Sequence, residues 1–144
     1  MWTLKGKNLG VLGLAYKCGT DDLRESPAVS IIHALLAEGA QIKAYDPAAM
    51  ESARKTLGSK IAYAKNAYDA ASGADGLLIL TEWQEFAKLD LNTIREKLNY
   101  PIVIDGRNIF GLDQMRQAGL IYHSMGRPEV NAAYVRAASV GRAS

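Results

Sequence analysis

Cysteine is almost absent from this sequence: Cys18 is the only one in 144 residues. A lone thiol excludes an internal disulfide, and with only His33 and His123 beside it there are too few soft ligands for a closed zinc site. This usage fits a reducing, cytoplasmic setting. Charge of one sign is not in excess either, since 17 Lys and Arg are balanced by 15 Asp and Glu, for a formal net charge of +2. No general affinity for nucleic acid follows, so any anion site must be local. Long apolar runs are missing as well. The opening MWTLKGKNLG has no signal-peptide core, and the most apolar stretch, AVSIIHALLA, is broken by Ser30 and His33 well short of a membrane span. Neither export nor a membrane partner is expected.

What is present suits one soluble domain, with 49% hydrophobic and 22% charged residues. Residues 8–14, 41–46, 76–80 and 101–105 are short apolar-rich runs of the kind that become strands buried on both faces. Residues 60–64 and 120–123 read as two further short strands. Between the first two runs Ser26 can cap a helix, Pro27 fits its first position and Gly39 can close it. Val29, Ile32, Leu35 and Leu36 share one face of that helix, which turns His33 toward solvent. Asp46 and Pro47 repeat the signal before a helix at 48–57, and further helices are expected at 67–72, 91–98 and 112–118. Alternation of strand and helix predicts a doubly wound parallel α/β sheet, Rossmann-like, in a single domain over residues 1–128. Residues 129–144 lack clear patterning and read as a frayed, flexible tail.

The first strand leads into GLAYKCGTDDLRESPA, a long and highly charged loop. A dinucleotide fingerprint needs three closely spaced glycines, whereas only Gly10 and Gly13 are here, and a plain structural use of both stays open. Lys17 and Arg24 lie between a strand's carboxyl end and a helix amino end, where anions are favoured, although Asp21, Asp22 and Glu25 can equally neutralise them. IDGRN places Arg107 at the same sheet edge, to converge with Lys17 or to pair with Asp105. Asp46 ends the second strand, where such folds place an acid for a ribose hydroxyl; a cap before Pro47 is the simpler reading. Trp83 either stacks on a base or packs in the core, and core packing is preferred.

Taken together, GLAYKCGTDDLRESPA, YDPAAM, LTEWQEF and IDGRNIF, in this order, resemble the carboxy-terminal domain of the UDP-glucose/GDP-mannose dehydrogenase family. The resemblance runs from about Lys5 to Pro128. It implies that Tyr16, Lys17 and Arg107 contact the nucleotide sugar, UDP-glucose or UDP, and that Arg24 reaches NAD across a cleft. Tyr16 stands where phenylalanine is commoner in the family, and its ring is expected to pack in the same way. The implied reaction oxidises UDP-glucose to UDP-glucuronate through an aldehyde and a thioester, using two NAD and a catalytic cysteine. That cysteine belongs to an amino-terminal dehydrogenase part that this sequence does not contain, so no catalytic or metal-binding residue is expected here, Cys18 included, and the chain alone should be inactive. Two alternatives remain, a freestanding nucleotide- or coenzyme-binding regulatory module and a purely structural interaction domain. Within the family, GDP-mannose and UDP-N-acetyl sugars remain possible substrates.

Overall fold

The computed structural model of the chain describes residues 5–14, 27–81, 83–107, 109–124 and 130–131. The apolar runs form strands β1 (Asn8–Leu12), β2 (Gln41–Tyr45), β4 (Gly76–Ile79) and β5 (Ile102–Asp105), joined by the short β3 (Ala62–Tyr63), β6 (Ile121–Ser124) and β7 (Val130–Asn131). They make one sheet in the order β3-β2-β1-β4-β5-β6-β7. Neighbours from β3 to β6 pair in parallel, and β7 runs antiparallel to β6. The order reverses between β1 and β4, which defines a doubly wound α/β domain of Rossmann type. β7 is a strand that no sequence signal announced; it begins just past residue 128.

Helices α1 (Pro27–Ala37) and α2 (Met50–Leu57) pack on one face of this sheet, and α3 (Ala67–Ala71), α4 (Gln84–Ala87), α5 (Leu91–Lys97) and α6 (Leu112–Gln117) on the other. The period of two along β4 separates the two cores: Leu77 and Ile79 join the cluster with Ala70, Ile94 and Met115, while Leu78 joins that with Ile32, Ala53 and Leu57. β1 and β4 are buried almost throughout, as continuous apolar runs require.

Local punctuation explains the helix ends. Pro27 opens α1, and beyond its end Gly39 (φ 91°) closes a Schellman motif, with the Gly39 N–H on the Leu36 carbonyl at 3.0 Å and the Ala40 N–H on the Leu35 carbonyl at 3.1 Å. Ser26, expected as the cap, lies outside the described residues. His33 is exposed, as its place off the apolar face of Val29, Ile32, Leu35 and Leu36 predicts. α2 starts at Met50, later than expected, because Asp46 serves the turn that precedes the helix. In α3 the Asn66 side chain caps the Asp69 N–H at 2.8 Å, and in α5 Asp90 accepts from the Asn92 and Thr93 N–H groups. Gly10 sits inside β1 for packing: a Cβ there would lie 2.4 Å from the Ala70 carbonyl oxygen, so its absence lets α3 rest directly on the strand.

Candidate functional site

Loops leaving the carboxyl ends of parallel strands share one sheet edge, and they part where the strand order reverses. From β2 across β1 and β4 to β5 that edge is pinned by extensions of the ladders. The Gly13 N–H bonds the Tyr45 carbonyl at 2.8 Å, the Leu80 N–H bonds that of Leu12 at 2.8 Å, and the Gly106 N–H bonds that of Ile79 at 2.9 Å. Gly13 has φ 97°, and a Cβ there would lie 2.0 Å from the Thr81 Oγ1, so two independent constraints demand glycine. The chain thus leaves β1 tightly against the end of β4.

Asp46 is fully buried directly beside this exit. Its Oδ2 accepts the Leu14 N–H at 2.8 Å, and its Oδ1 accepts those of Ala48 at 2.8 Å and Ala49 at 2.9 Å. The carboxylate therefore ties the ends of β1 and β2 together and turns the chain into α2. With its oxygens engaged inside the fold, it does not present an acceptor to a ribose. The cap expected from the sequence is displaced: α2 begins at Met50 with Ala49 at its cap position and no side-chain cap, so Asp46 holds the turn before the helix and the backbone of a residue 32 positions away.

Asp105 does the equivalent work at the end of β5. It is 1% exposed; Oδ1 accepts the Arg107 N–H at 2.9 Å, while Oδ2 accepts those of Ile109 at 2.8 Å and Phe110 at 3.3 Å and the Tyr122 hydroxyl at 2.5 Å. The N–H groups of Arg107, Ile109 and Phe110 converge on one buried carboxylate, and Arg107 is exposed beside it at the candidate edge. Asp105 thus meets Arg107 through the backbone N–H.

Other groups complete the edge. The Tyr45 hydroxyl donates to Glu85 Oε2 at 2.8 Å, and its ring meets Phe86 edge-on with centroids 6.3 Å apart. Burial, reinforced by the bond to Glu85 and its charge, pushes the Tyr45 phenol up to about 12, so it remains a donor at neutral pH. Trp83 packs against the α3/α5/α6 core, as preferred from sequence. Its Nε1 and the Thr81 Oγ1 are buried without a hydrogen-bond partner, both on the segment that leaves β4.

Of the residues singled out from sequence, Arg107 is placed at this edge, whereas Tyr16, Lys17, Cys18 and Arg24 lie outside the described residues. The sequence reading missed Tyr122 and the anchoring work of Asp105. The only sequence signal for the pair is an aspartate at a strand end and a tyrosine in the next strand. At the opposite, amino edge a cavity of about 550 Å³ opens among Asn8, Gln41, Lys43, Lys60 and Gly73. Lys43 is occupied there, 3.6 Å from Asp69 Oδ1 and 3.3 Å from the Ser72 carbonyl, and the charged loops leave from the other edge; the carboxyl edge is the stronger site. Among the described residues no group of three or more His, Cys, Asp or Glu could hold a metal, and no helix is long and apolar enough to cross a membrane.

Strand order and switch point define a doubly wound α/β domain of Rossmann type, with a crevice at the carboxyl edge of the sheet. Comparison with known proteins is more specific. Residues 10–112 match the model of the UDP-glucose/GDP-mannose dehydrogenase family, UDP binding domain, and the chain belongs to that family. It is 45% identical over 130 residues to UDP-glucose 6-dehydrogenase TuaD of Bacillus subtilis, covering 90% of this chain and 28% of that protein. The solved UDP-glucose dehydrogenase of Pyrobaculum islandicum superposes with a TM-score of 0.70 at 36% identity, over 84% of this chain and 26% of that one. UDP-D-ManNAc dehydrogenase of Pyrococcus horikoshii does so with a TM-score of 0.68 at 28% identity, over 89% and 27%. The chain therefore spans under a third of the length of these relatives.

Proposed function

We propose that this chain is the nucleotide-sugar-binding domain of an NAD-dependent UDP-glucose 6-dehydrogenase, which oxidises UDP-glucose to UDP-glucuronate. The observation that carries the reading is the family match over residues 10–112, which includes both the charged loop after β1 and the Arg107 turn. In this reading Tyr16, Lys17 and Arg107 hold the nucleotide sugar. A guanidinium gives a diphosphate a planar, permanently charged partner, and a charge-assisted contact of that kind contributes about 1.5–3 kcal/mol.

NAD, as hydride acceptor, supplies the oxidising power of such an enzyme. The residues at this crevice do not fit it as the principal guest: Asp46 is closed to a ribose, and Gly10 is used to seat α3. The reading assigns the main NAD site and the catalytic cysteine to an amino-terminal part of a longer protein, with Arg24 reaching across toward NAD. Its setting is the cytoplasm. A UDP-N-acetyl sugar is the second reading for the substrate, favoured by the similarity to UDP-D-ManNAc dehydrogenase.

Calorimetric titration of the 144-residue chain with UDP, GDP, NAD and coenzyme A tests this function. Weak but measurable UDP binding, above that of GDP, NAD and coenzyme A, is expected. Binding of coenzyme A or NAD in preference to UDP would replace the proposal with a free regulatory module, and no binding at all would leave an interaction domain.

A further inference from the structure

An arginine that binds a phosphate must be held where the phosphate arrives, because a long side chain on a loose turn loses much of its contact energy to ordering. The turn bearing Arg107 is not loose. Its backbone converges on the Asp105 carboxylate through the N–H groups of Arg107, Ile109 and Phe110. The fourth donor, the Tyr122 hydroxyl, comes from the neighbouring strand β6 and also lies 3.3 Å from the Phe110 carbonyl. Tyr122 is fully buried, its ring edge-on to Phe110 with centroids 6.4 Å apart, and Val103 is its partner in the β5–β6 register. A buried hydrogen-bonded relay thus runs from β6, through one carboxylate, to the backbone of the exposed arginine.

We propose that Asp105 and Tyr122 are positioning residues for nucleotide-diphosphate recognition, acting by fixing the backbone turn from which Arg107 reaches the ligand. This rests on the proposed function, which supplies the ligand. Asp105 and Tyr122 are too buried to touch a ligand themselves, so any effect on affinity passes through the turn.

The test is a double-mutant cycle on the 144-residue chain with UDP as the probe, using Tyr122→Phe, Arg107→Ala and the pair. Tyr122→Phe keeps the ring and removes one donor from Asp105. It should weaken UDP binding by about threefold to tenfold, in the range of one hydrogen bond. In the Arg107→Ala background the same change should have no further effect on UDP, although it still lowers the unfolding midpoint. A merely structural Tyr122 would lower the midpoint in both backgrounds and leave UDP affinity unchanged in both, which overturns the proposal. Equal, additive losses in both backgrounds also overturn it. If Arg107→Ala itself leaves UDP binding intact, the site assignment fails instead. Should Tyr122→Phe not fold, amide exchange in the unaltered chain decides: the Arg107 and Ile109 N–H groups should be protected before UDP is added, and exchange at the rate of an open loop would refute a preformed turn.

Discussion

Asp46→Ala should destabilise the domain by about 2–6 kcal/mol. Three backbone donors lose their acceptor in this variant. Ala48 is exposed, so its N–H can turn to water; Leu14 and Ala49 are fully buried, so theirs lose a charged acceptor where water does not replace it. Each buried, unsatisfied N–H costs about 1–3 kcal/mol, against a total stability of about 5–15 kcal/mol for an ordinary domain. Asp46→Asn keeps one acceptor oxygen and turns an amide donor toward the other N–H group, so it should lose roughly half as much. Urea unfolding followed by circular dichroism measures both, with the midpoint moving and the slope constant if only stability has changed. A loss under about 0.5 kcal/mol for Asp46→Ala would refute the claim that this carboxylate joins β1 to α2, as would an asparagine variant as stable as the aspartate.

Gly10→Ala puts a methyl 2.4 Å from the Ala70 carbonyl oxygen and 3.0 Å from Leu77 Cδ1. Because that backbone cannot yield cheaply, a loss of about 1–3 kcal/mol is expected in thermal unfolding; Gly73→Ala, with open space around it and φ 73°, should show backbone strain alone. Tyr45 gives a pH signature. Its phenol titrates at about 12 in the fold against 10.0 unperturbed, so only the unfolded chain loses this proton between those values, and stability should fall as pH rises across that window. Tyr45→Phe should flatten that slope in denaturant titrations at successive pH values, leaving the smaller contribution of Tyr63, whose phenol is also raised, mainly by burial.

The parts of the fold legible in the sequence were those coded locally. Apolar runs located β1, β2, β4 and β5, while Pro27 and Gly39 marked the first helix position and the closing turn of α1, because each residue's own backbone restriction sets the local geometry. Elements whose existence depends on distant partners were not legible. α4 is a single turn over Gln84–Ala87 held by the buried Phe86, and β7 is two residues paired with β6. The site divides in the same way. The position of Arg107 at the sheet edge is legible from its place after a strand, and the turn at Asp46 from the proline that follows it. The Asp46–Leu14 and Asp105–Tyr122 bonds join residues 32 and 17 positions apart, which no local pattern encodes. Nor could spacing reveal that Gly13 and Thr81 must nearly touch.

The central claim is that a uridine nucleotide binds at the carboxyl edge of this sheet. Amide chemical shifts of the isotopically labelled chain, followed during titration with UDP, test it most directly. The account predicts that the largest changes fall on Gly13, Leu14, Arg107 and Ile109, and that at the same UDP concentration they are strongly reduced in Arg107→Ala, where the affinity is lower but still measurable. Changes centred instead on Asn8, Gln41, Lys60 and Gly73, around the cavity at the amino edge, would contradict it.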